Sequence, residues 1–350
     1  MRCPVRALRL FWPDMKVLID HQSPFLLMHG GFQIQIEQTK LALEKVGVEV
    51  EYLRWWDDSQ RADVIHFFGR PNSGYVNFAR QKGIKIVMSQ LLTGLGSRGD
   101  WARRAQKWLM TAGEKWLPKL ITGNFAWEAY RNLDAAIFQT AWEAQLQHEM
   151  FAVPQEKIFV IPNGVEDVFL QSQPVPRGPW LVSTVTITER KRVVESAAAA
   201  VQAQTPLWVI GKPYADNDPY ARRFLELAQA NPKWIRYEGA IRDRARMAAI
   251  YREARGFVLL STMESQSLSA SEAAACECPL LLSDLPWAKS VFKDTVQYCP
   301  ITSDTARTAS ALREFYDAAP ALKPPDKPPT WPEVAREMKK LYETLVQPSR

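Results

Sequence analysis

The chain has 350 residues, 47% of them hydrophobic and 23% charged, a globular balance with room for two domains that each bury a core. The formal net charge of +6 suits phosphate-bearing ligands or an anionic membrane surface, and the absence of any short nucleic-acid-binding motif sets nucleic acid aside as a partner. No run of eighteen apolar residues predicts a membrane span. Cys3, Cys276, Cys278 and Cys299 form no CxxC pair, so zinc is not expected and a reduced, cytoplasmic interior is.

Residues 1–14 carry charges and an apolar patch but lack a sustained apolar core and a small-residue cleavage site, so no signal peptide is read there. Lys16 to His21 is a predicted strand. The loop SPFLLMHGG follows and leads through Gly30 and Gly31 into a helix over Phe32 to Val46, a corner that a phosphate could approach. It is not GxGxxG, and no acidic residue stands where a dinucleotide fold wants one. Val48 to Leu53, Ala62 to Gly69 and Ile84 to Leu92 read as further strands. His66 lies inside the second of these, where a buried histidine satisfied by its surroundings is one reading.

Asp100 to Lys119 places Trp101, Ala105, Trp108, Leu109, Ala112 and Trp116 on one stripe of a helix. Arg103, Arg104, Lys107, Glu114 and Lys115 take the other side and the flanks. Two readings stand: the stripe packs on the sheet of the first domain, or three indole rings bordered by cations lie at an anionic bilayer surface.

Asp134 to Thr140 and Ile158 to Ile161 are strands around a helix at Trp142 to Met150. The turn Pro162-Asn163-Gly164-Val165 then precedes a Pro-rich, polar linker over 166–178. This divides the chain into domains at 1–165 and 179–330. The second alternates again, with strands at Trp180 to Ile187, Leu207 to Gly211 and Ile235 to Gly239. Helices are expected at Val193 to Ala203, Pro219 to Ala230 and Ala245 to Ala254. Such alternation predicts doubly wound parallel sheets, an α/β fold of two Rossmann-like layers across a cleft. Arg190, Lys191 and Arg192 close the first strand of this domain, where a cation can meet a diphosphate or merely form a solvated basic turn.

The stretch Gly256 to Ser283 is a complete βαβ unit: an apolar strand at Phe257 to Leu260, a polar loop, a helix at Ser269 to Cys276, and Pro279 before a second apolar strand. The amides of Ser267, Leu268 and Ser269 at the helix start are suited to a phosphate. Glu272, one turn in, is suited to the two hydroxyls of a ribose, and Glu264 to whatever the diphosphate carries. The alternatives are a Ser269-x-x-Glu272 capping box and a solvated loop acid.

ESQSLSASEAAACECPLL resembles the E-x7-E signature of family-4 retaining glycosyltransferases of the GT-B fold. The resemblance implies a metal-independent, hexosyltransferase-like enzyme of polysaccharide or glycolipid biosynthesis. It would use no cofactor, only a nucleotide-diphosphate sugar as donor and a glycan or lipid as acceptor. By the same resemblance Glu272 holds the ribose, Glu264 the transferred sugar, and Lys191, with Arg190, the phosphates. Gly30 and Gly31 belong to the family's loop between donor and acceptor, with His29, His66 and Gln90 as acceptor-side candidates. PNGV matches the motif closing the first domain, and Trp331 to Leu345 resembles the helix that crosses back to it. The departures are Glu277 for a usual glycine, Thr186 for a usual arginine, and Ser89-Gln90 where a histidine is common. They keep open a non-catalytic sugar-nucleotide binder, or another GT-B chemistry such as epimerisation.

Overall fold

The computed structural model describes residues 15–26, 30–90, 99–116, 126–171 and 175–347. The first sheet contains β1 (Lys16–His21), β2 (Glu49–Tyr52), β3 (Val64–Phe68), β4 (Lys85–Ser89), β5 (Ala135–Phe138) and β6 (Ile158–Val160). Their order is β2-β1-β3-β4-β5-β6, all parallel. The second contains β7 (Leu181–Thr184), β8 (Leu207–Ile210), β9 (Ile235–Tyr237), β10 (Gly256–Leu259), β11 (Leu280–Ser283) and β12 (Gln297–Cys299). Its order is β12-β11-β10-β7-β8-β9, also all parallel. The central strands β3, β5, β8, β10 and β11 are buried along their whole length, as helices on both faces require.

The helices of the first half are α1 (Gly31–Lys45), α2 (Ser73–Gln81), α3 (Asp100–Trp116), α4 (Ala126–Asn132) and α5 (Ala141–Phe151). A short α6 (Asp167–Leu170) leads into the second half, with α7 (Val193–Gln202), α8 (Pro219–Ala230), α9 (Arg244–Glu253), α10 (Leu268–Ala275), α11 (Pro286–Phe292) and α12 (Thr305–Ala318). The chain ends in α13 (Trp331–Val346). Asp218, Asp243 and Asp304 cap α8, α9 and α12 by accepting from first-turn amides, and Thr330 with Glu333 forms a full capping box on α13.

Several strands are shorter than their apolar runs. The run Trp180 to Ile187 forms a ladder only over Leu181–Thr184, yet Val185 and Ile187 stay buried and still donate to Ile210 and Lys212. The predicted strand Ile84 to Leu92 ends at Ser89. The segment 166–178 is not a plain linker, because α6 plants the fully buried Phe169 in the core of the second domain.

Helix α13 lies on α1, and Trp331, Val334, Ala335, Met338, Leu341 and Tyr342 complete the first domain's core. Its start meets the PNGV turn: Val165 donates to Pro329, and Trp331 donates back to Val165. A side chain at Gly164 would come within 2.5 Å of the Trp331 backbone nitrogen, so only glycine fits.

Helix α3 overturns the core-packing reading of its tryptophan stripe. Met110, on the opposite face, packs against the domain core. Trp101, Trp108, Leu109 and Trp116 are 82%, 69%, 62% and 79% exposed.

Candidate active site

In the second sheet the strand order reverses between β7 and β10, and the crevice beyond the carboxyl ends of those strands is where an open α/β sheet binds ligands. The two loops that leave these strands are zipped together, since the Thr262 amide donates to the Arg190 carbonyl at 2.8 Å. Arg190 donates to the carbonyl of Met263 (2.6 Å) and to the Glu264 carboxylate (3.0 Å), and Lys191 pairs with the same Glu264 oxygen. Burial, with Arg190 adding to it, pulls the Lys191 ammonium below the usual lysine range against the opposing pull of Glu264. Arg192 adopts a left-handed backbone (φ 51°) at the start of α7, and its guanidinium turns away to the carbonyl of Thr302. Thus Arg190 and Lys191 face the crevice while Arg192 props the wall behind it.

The start of α10 supplies the neighbouring edge. Its N-cap is Ser267, whose hydroxyl accepts from Ala270, so Ser269 is already helical and the alternative reading of Ser269-x-x-Glu272 as a capping box does not hold. Ser267 also shares a hydrogen bond with Ser269. Glu272 is 6% exposed and pairs instead with Arg244, the first residue of α9. Arg244 donates to Glu166 as well, at 2.7 Å, and lies over the Phe169 ring at 4.7 Å. Burial raises the Glu272 carboxyl above the usual range, and Arg244 opposes that rise.

Across the cleft, the Gly30–Gly31 turn sits against this site. Gly30 has φ +117° and ψ −153°, a backbone that essentially only glycine adopts, and a side chain there would meet the Thr186 hydroxyl at 3.6 Å. One at Gly31 would meet Leu268 at 3.7 Å, and Leu268 itself joins the first domain's core cluster. Thr186, found where the family's arginine is usual, therefore lies beside the glycine turn. His29 falls outside the described residues. His66 is fully buried: its Nε2 shares a hydrogen bond with Ser89 and its Nδ1 one with Tyr342, each at 2.7 Å. Burial lowers its pKa to about 3, so it is a neutral core residue anchoring α13, and the structure does not bring it to the cleft. Gln90 is half-buried at the end of β4 and accepts from the Tyr130 hydroxyl at 2.5 Å.

Further polar groups were not singled out from sequence. Glu143, fully buried on α5, accepts from Ser265 of the opposite domain at 2.5 Å, and Ser265 also donates to Gln139 at 3.3 Å. Asn163 in the PNGV turn donates its amide to Gln266 at 2.6 Å. Asp20, 4% exposed at the end of β1, accepts from the Tyr75 hydroxyl at 2.8 Å. Glu143 had a signal: Thr140-x-x-Glu143 is a capping-box pattern, and Thr140 does accept from the Glu143 amide. Arg244 had none, because its partner lies 28 residues away.

Among the described residues no three His, Cys, Asp or Glu side chains cluster as a metal site, and Cys276, Cys278 and Cys299 are buried free thiols. No curated protein sequence matches the chain. Among solved structures it is similar to sucrose-phosphate synthase from Thermosynechococcus elongatus, at 18% identity and TM-score 0.64, over 95% of this chain and 99% of that one. It is also similar to HepE of Anabaena in complex with UDP, at 12% identity and TM-score 0.60, over 94% and 100%. A third is the pneumococcal O-GlcNAc transferase GtfA in complex with UDP and GlcNAc, at 16% identity and TM-score 0.57. That match covers 81% of this chain, which spans 57% of the length of that protein. At these identities the likeness is one of fold. Sequence models add the family, a glycosyl transferase 4-like domain over residues 36–164 and a glycosyl transferases group 1 domain over 185–318. With one such domain on each sheet, the chain belongs to the GT-B glycosyltransferases.

Proposed function

We propose that the protein is a retaining glycosyltransferase that takes a nucleotide-diphosphate sugar as donor, binding it mainly on residues 179–330, and an acceptor on residues 1–165. The carrying observation is the Glu264–Lys191–Arg190 cluster at the β7/β10 switch point, in the domain whose Thr186 and Leu268 lie against the Gly30–Gly31 turn. Glu264 pairs with both cations. A donor diphosphate brings them a stronger anion and leaves Glu264 for the hydroxyls of the transferred sugar. As the bond from the sugar to the diphosphate breaks, negative charge grows on the departing oxygen. Lys191, Arg190 and the amides of Ser267, Leu268 and Ser269 meet it there without a metal. Glu272 accepts from the ribose. The solved complexes of HepE and GtfA with UDP favour a uridine donor.

The acceptor in this reading is carried by a lipid at an anionic, cytoplasmic membrane face. The exposed Trp101, Trp108, Leu109 and Trp116 with the exposed cations Arg104, Lys107 and Lys115 favour it. No helix among the described residues is long and apolar enough to cross a membrane, so contact would be peripheral.

A thermal-shift panel of UDP-, GDP-, ADP- and dTDP-sugars tests the donor reading, because selective stabilisation reports binding by mass action. The stabilising donor is then incubated alone, and release of free sugar is measured. An enzyme leaks some sugar to water. Stabilisation with no release, with or without lipid acceptors, makes the chain a binder, and no stabilisation by any donor overturns the proposal.

A further inference from the structure

Glu272 is a buried carboxylate, and an isolated charge so buried would normally be neutralised. Three titratable groups face it from the elements packed around it. Arg244 and the Tyr251 hydroxyl come from α9, and Glu166 from the segment after the PNGV turn. Cys276 on its own helix is the fourth, and burial raises that thiol to about 12, so it stays neutral. Tyr251 is likewise held far above its ordinary range by burial. Of these groups, only Arg244 brings positive charge to the carboxylate.

Arg244 is also held firmly. Asp243 caps the helix that starts at Arg244, Phe169 underlies the guanidinium, and Glu166 takes the Nε edge at 2.7 Å. That leaves the NH2 edge aimed at Oε1 of Glu272. The planar fork fixes direction as well as charge, which a flexible ammonium would do less well.

We propose that Arg244 is a positioning residue of the donor site, holding the Glu272 carboxylate charged and in one orientation for the two hydroxyls of a nucleotide ribose. Arg244 need not touch the nucleotide, and the inference rests on the reading of Glu272 as the ribose ligand. Without Arg244, burial and the nearby Glu166 both favour the protonated form of Glu272. A protonated carboxyl loses one acceptor oxygen, and nucleotide affinity falls as pH is lowered.

The test measures Kd by calorimetry between pH 5.5 and 8 with whichever of UDP, GDP, ADP or dTDP most stabilises the wild type. The variants are Arg244→Gln, Arg244→Lys, Glu272→Gln and the Arg244→Gln/Glu272→Gln pair, each with its Tm recorded. Each variant is compared with wild type at the same pH, so the nucleotide's own protonation cancels. Arg244→Gln is expected to bind roughly tenfold more weakly at pH 7.5, with the deficit widening as pH falls. Arg244→Lys, which keeps the charge, should recover the pH profile but not the full affinity. In the Glu272→Gln background, Arg244→Gln should add no pH dependence. An Arg244→Gln deficit that is constant with pH, or absent, overturns the inference while leaving Glu272 as ribose ligand. Glu272→Gln binding as tightly as wild type, or no nucleotide binding at all, removes the ribose reading and the inference with it.

Discussion

The backbone N–H of Asn163 donates to the side-chain oxygen of Gln266 at 2.6 Å, joining residues 103 positions apart. One sits in the turn that closes the first domain and the other in the loop between the two glutamates of the second. Because Asn163 is 5% exposed, no solvent can replace that acceptor. Gln266→Leu should therefore cost about 1–3 kcal/mol in urea unfolding, the penalty of an orphaned buried donor. Gln266→Glu keeps an acceptor and should lose less. A Gln266→Leu midpoint equal to that of wild type would show that the bond contributes nothing.

Lys191 yields a kinetic prediction. The charge it meets grows during sugar departure, so Lys191→Ala should lower kcat roughly 100- to 1,000-fold while nucleotide affinity changes much less. The depressed lysine also predicts a pH effect. Its charged form is disfavoured in the free enzyme, so kcat/KM should fall on the alkaline side earlier than an ordinary lysine would cause. Lys191→Arg, charged throughout, should move that limb to higher pH. A limb left in place assigns it to another group.

Glu277 gives a stability prediction. It has φ 60° at the end of α10, the left-handed conformation for which glycine is the usual residue. Its carboxylate pairs with Lys327 at 2.8 Å, but both side chains are more than 40% exposed, so the pair contributes little. Glu277→Gly should stabilise the fold by about 0.5–1 kcal/mol, the relieved strain less the extra freedom of the unfolded chain. Glu277→Ala keeps the strain and should gain nothing. If Gly and Ala melt alike, the backbone there is not strained.

How much of this was legible in the sequence depends on range. The apolar runs predicted both parallel sheets because buried strands carry their own signal. The loops after β7 and β10 were legible as ligand-facing because they leave the carboxyl ends of parallel strands, while the adjacency of those two strands needed the structure. The glycine found missing at Glu277 was legible as a departure, though its meaning, a left-handed backbone, needed φ. Arg244 was hidden because an ion pair across 28 residues leaves no local pattern. The tryptophan stripe of α3 was ambiguous for another reason. Periodicity shows that a helix has an apolar face but not what covers it.

The anchoring of α13 predicts an acid-sensitive step. Burial holds His66, which shares hydrogen bonds with Tyr342 and Ser89, neutral in the core, with a folded pKa of about 3 against an ordinary value near 6.5. A depressed histidine stabilises the fold above its unfolded pKa, and that stability is lost as pH falls from about 6.5 toward 3. Between pH 7.5 and 5 the wild type should lose on the order of 2 kcal/mol more than His66→Gln, which cannot titrate. Parallel stability curves for the two proteins would place the acid sensitivity elsewhere.

Helix α3 carries the membrane prediction. Met110 binds the helix to the domain, so Trp101, Trp108, Leu109 and Trp116 face outward by construction. Arg104 and Lys107 are exposed beside them, and Lys115 lies 5.9 Å from the centre of the Trp116 ring. Indole rings favour headgroup depth, and cations at the same level favour anionic lipid. Co-sedimentation with vesicles containing phosphatidylglycerol should therefore pellet the protein at low salt, with pure phosphatidylcholine vesicles binding far less. Raising salt should weaken the binding, because the Debye length shrinks from about 30 Å at 0.01 M to about 10 Å at 0.1 M. Arg104→Gln/Lys107→Gln/Lys115→Gln should remove the preference for anionic lipid. Trp101→Ala/Trp108→Ala/Trp116→Ala should instead abolish salt-resistant binding, since the insertion energy lies in the rings. Neither triple variant touches the donor site, so nucleotide binding should be unchanged in both. A wild type that stays in the supernatant with anionic vesicles would take the membrane out of the functional reading and leave the stripe for a protein partner.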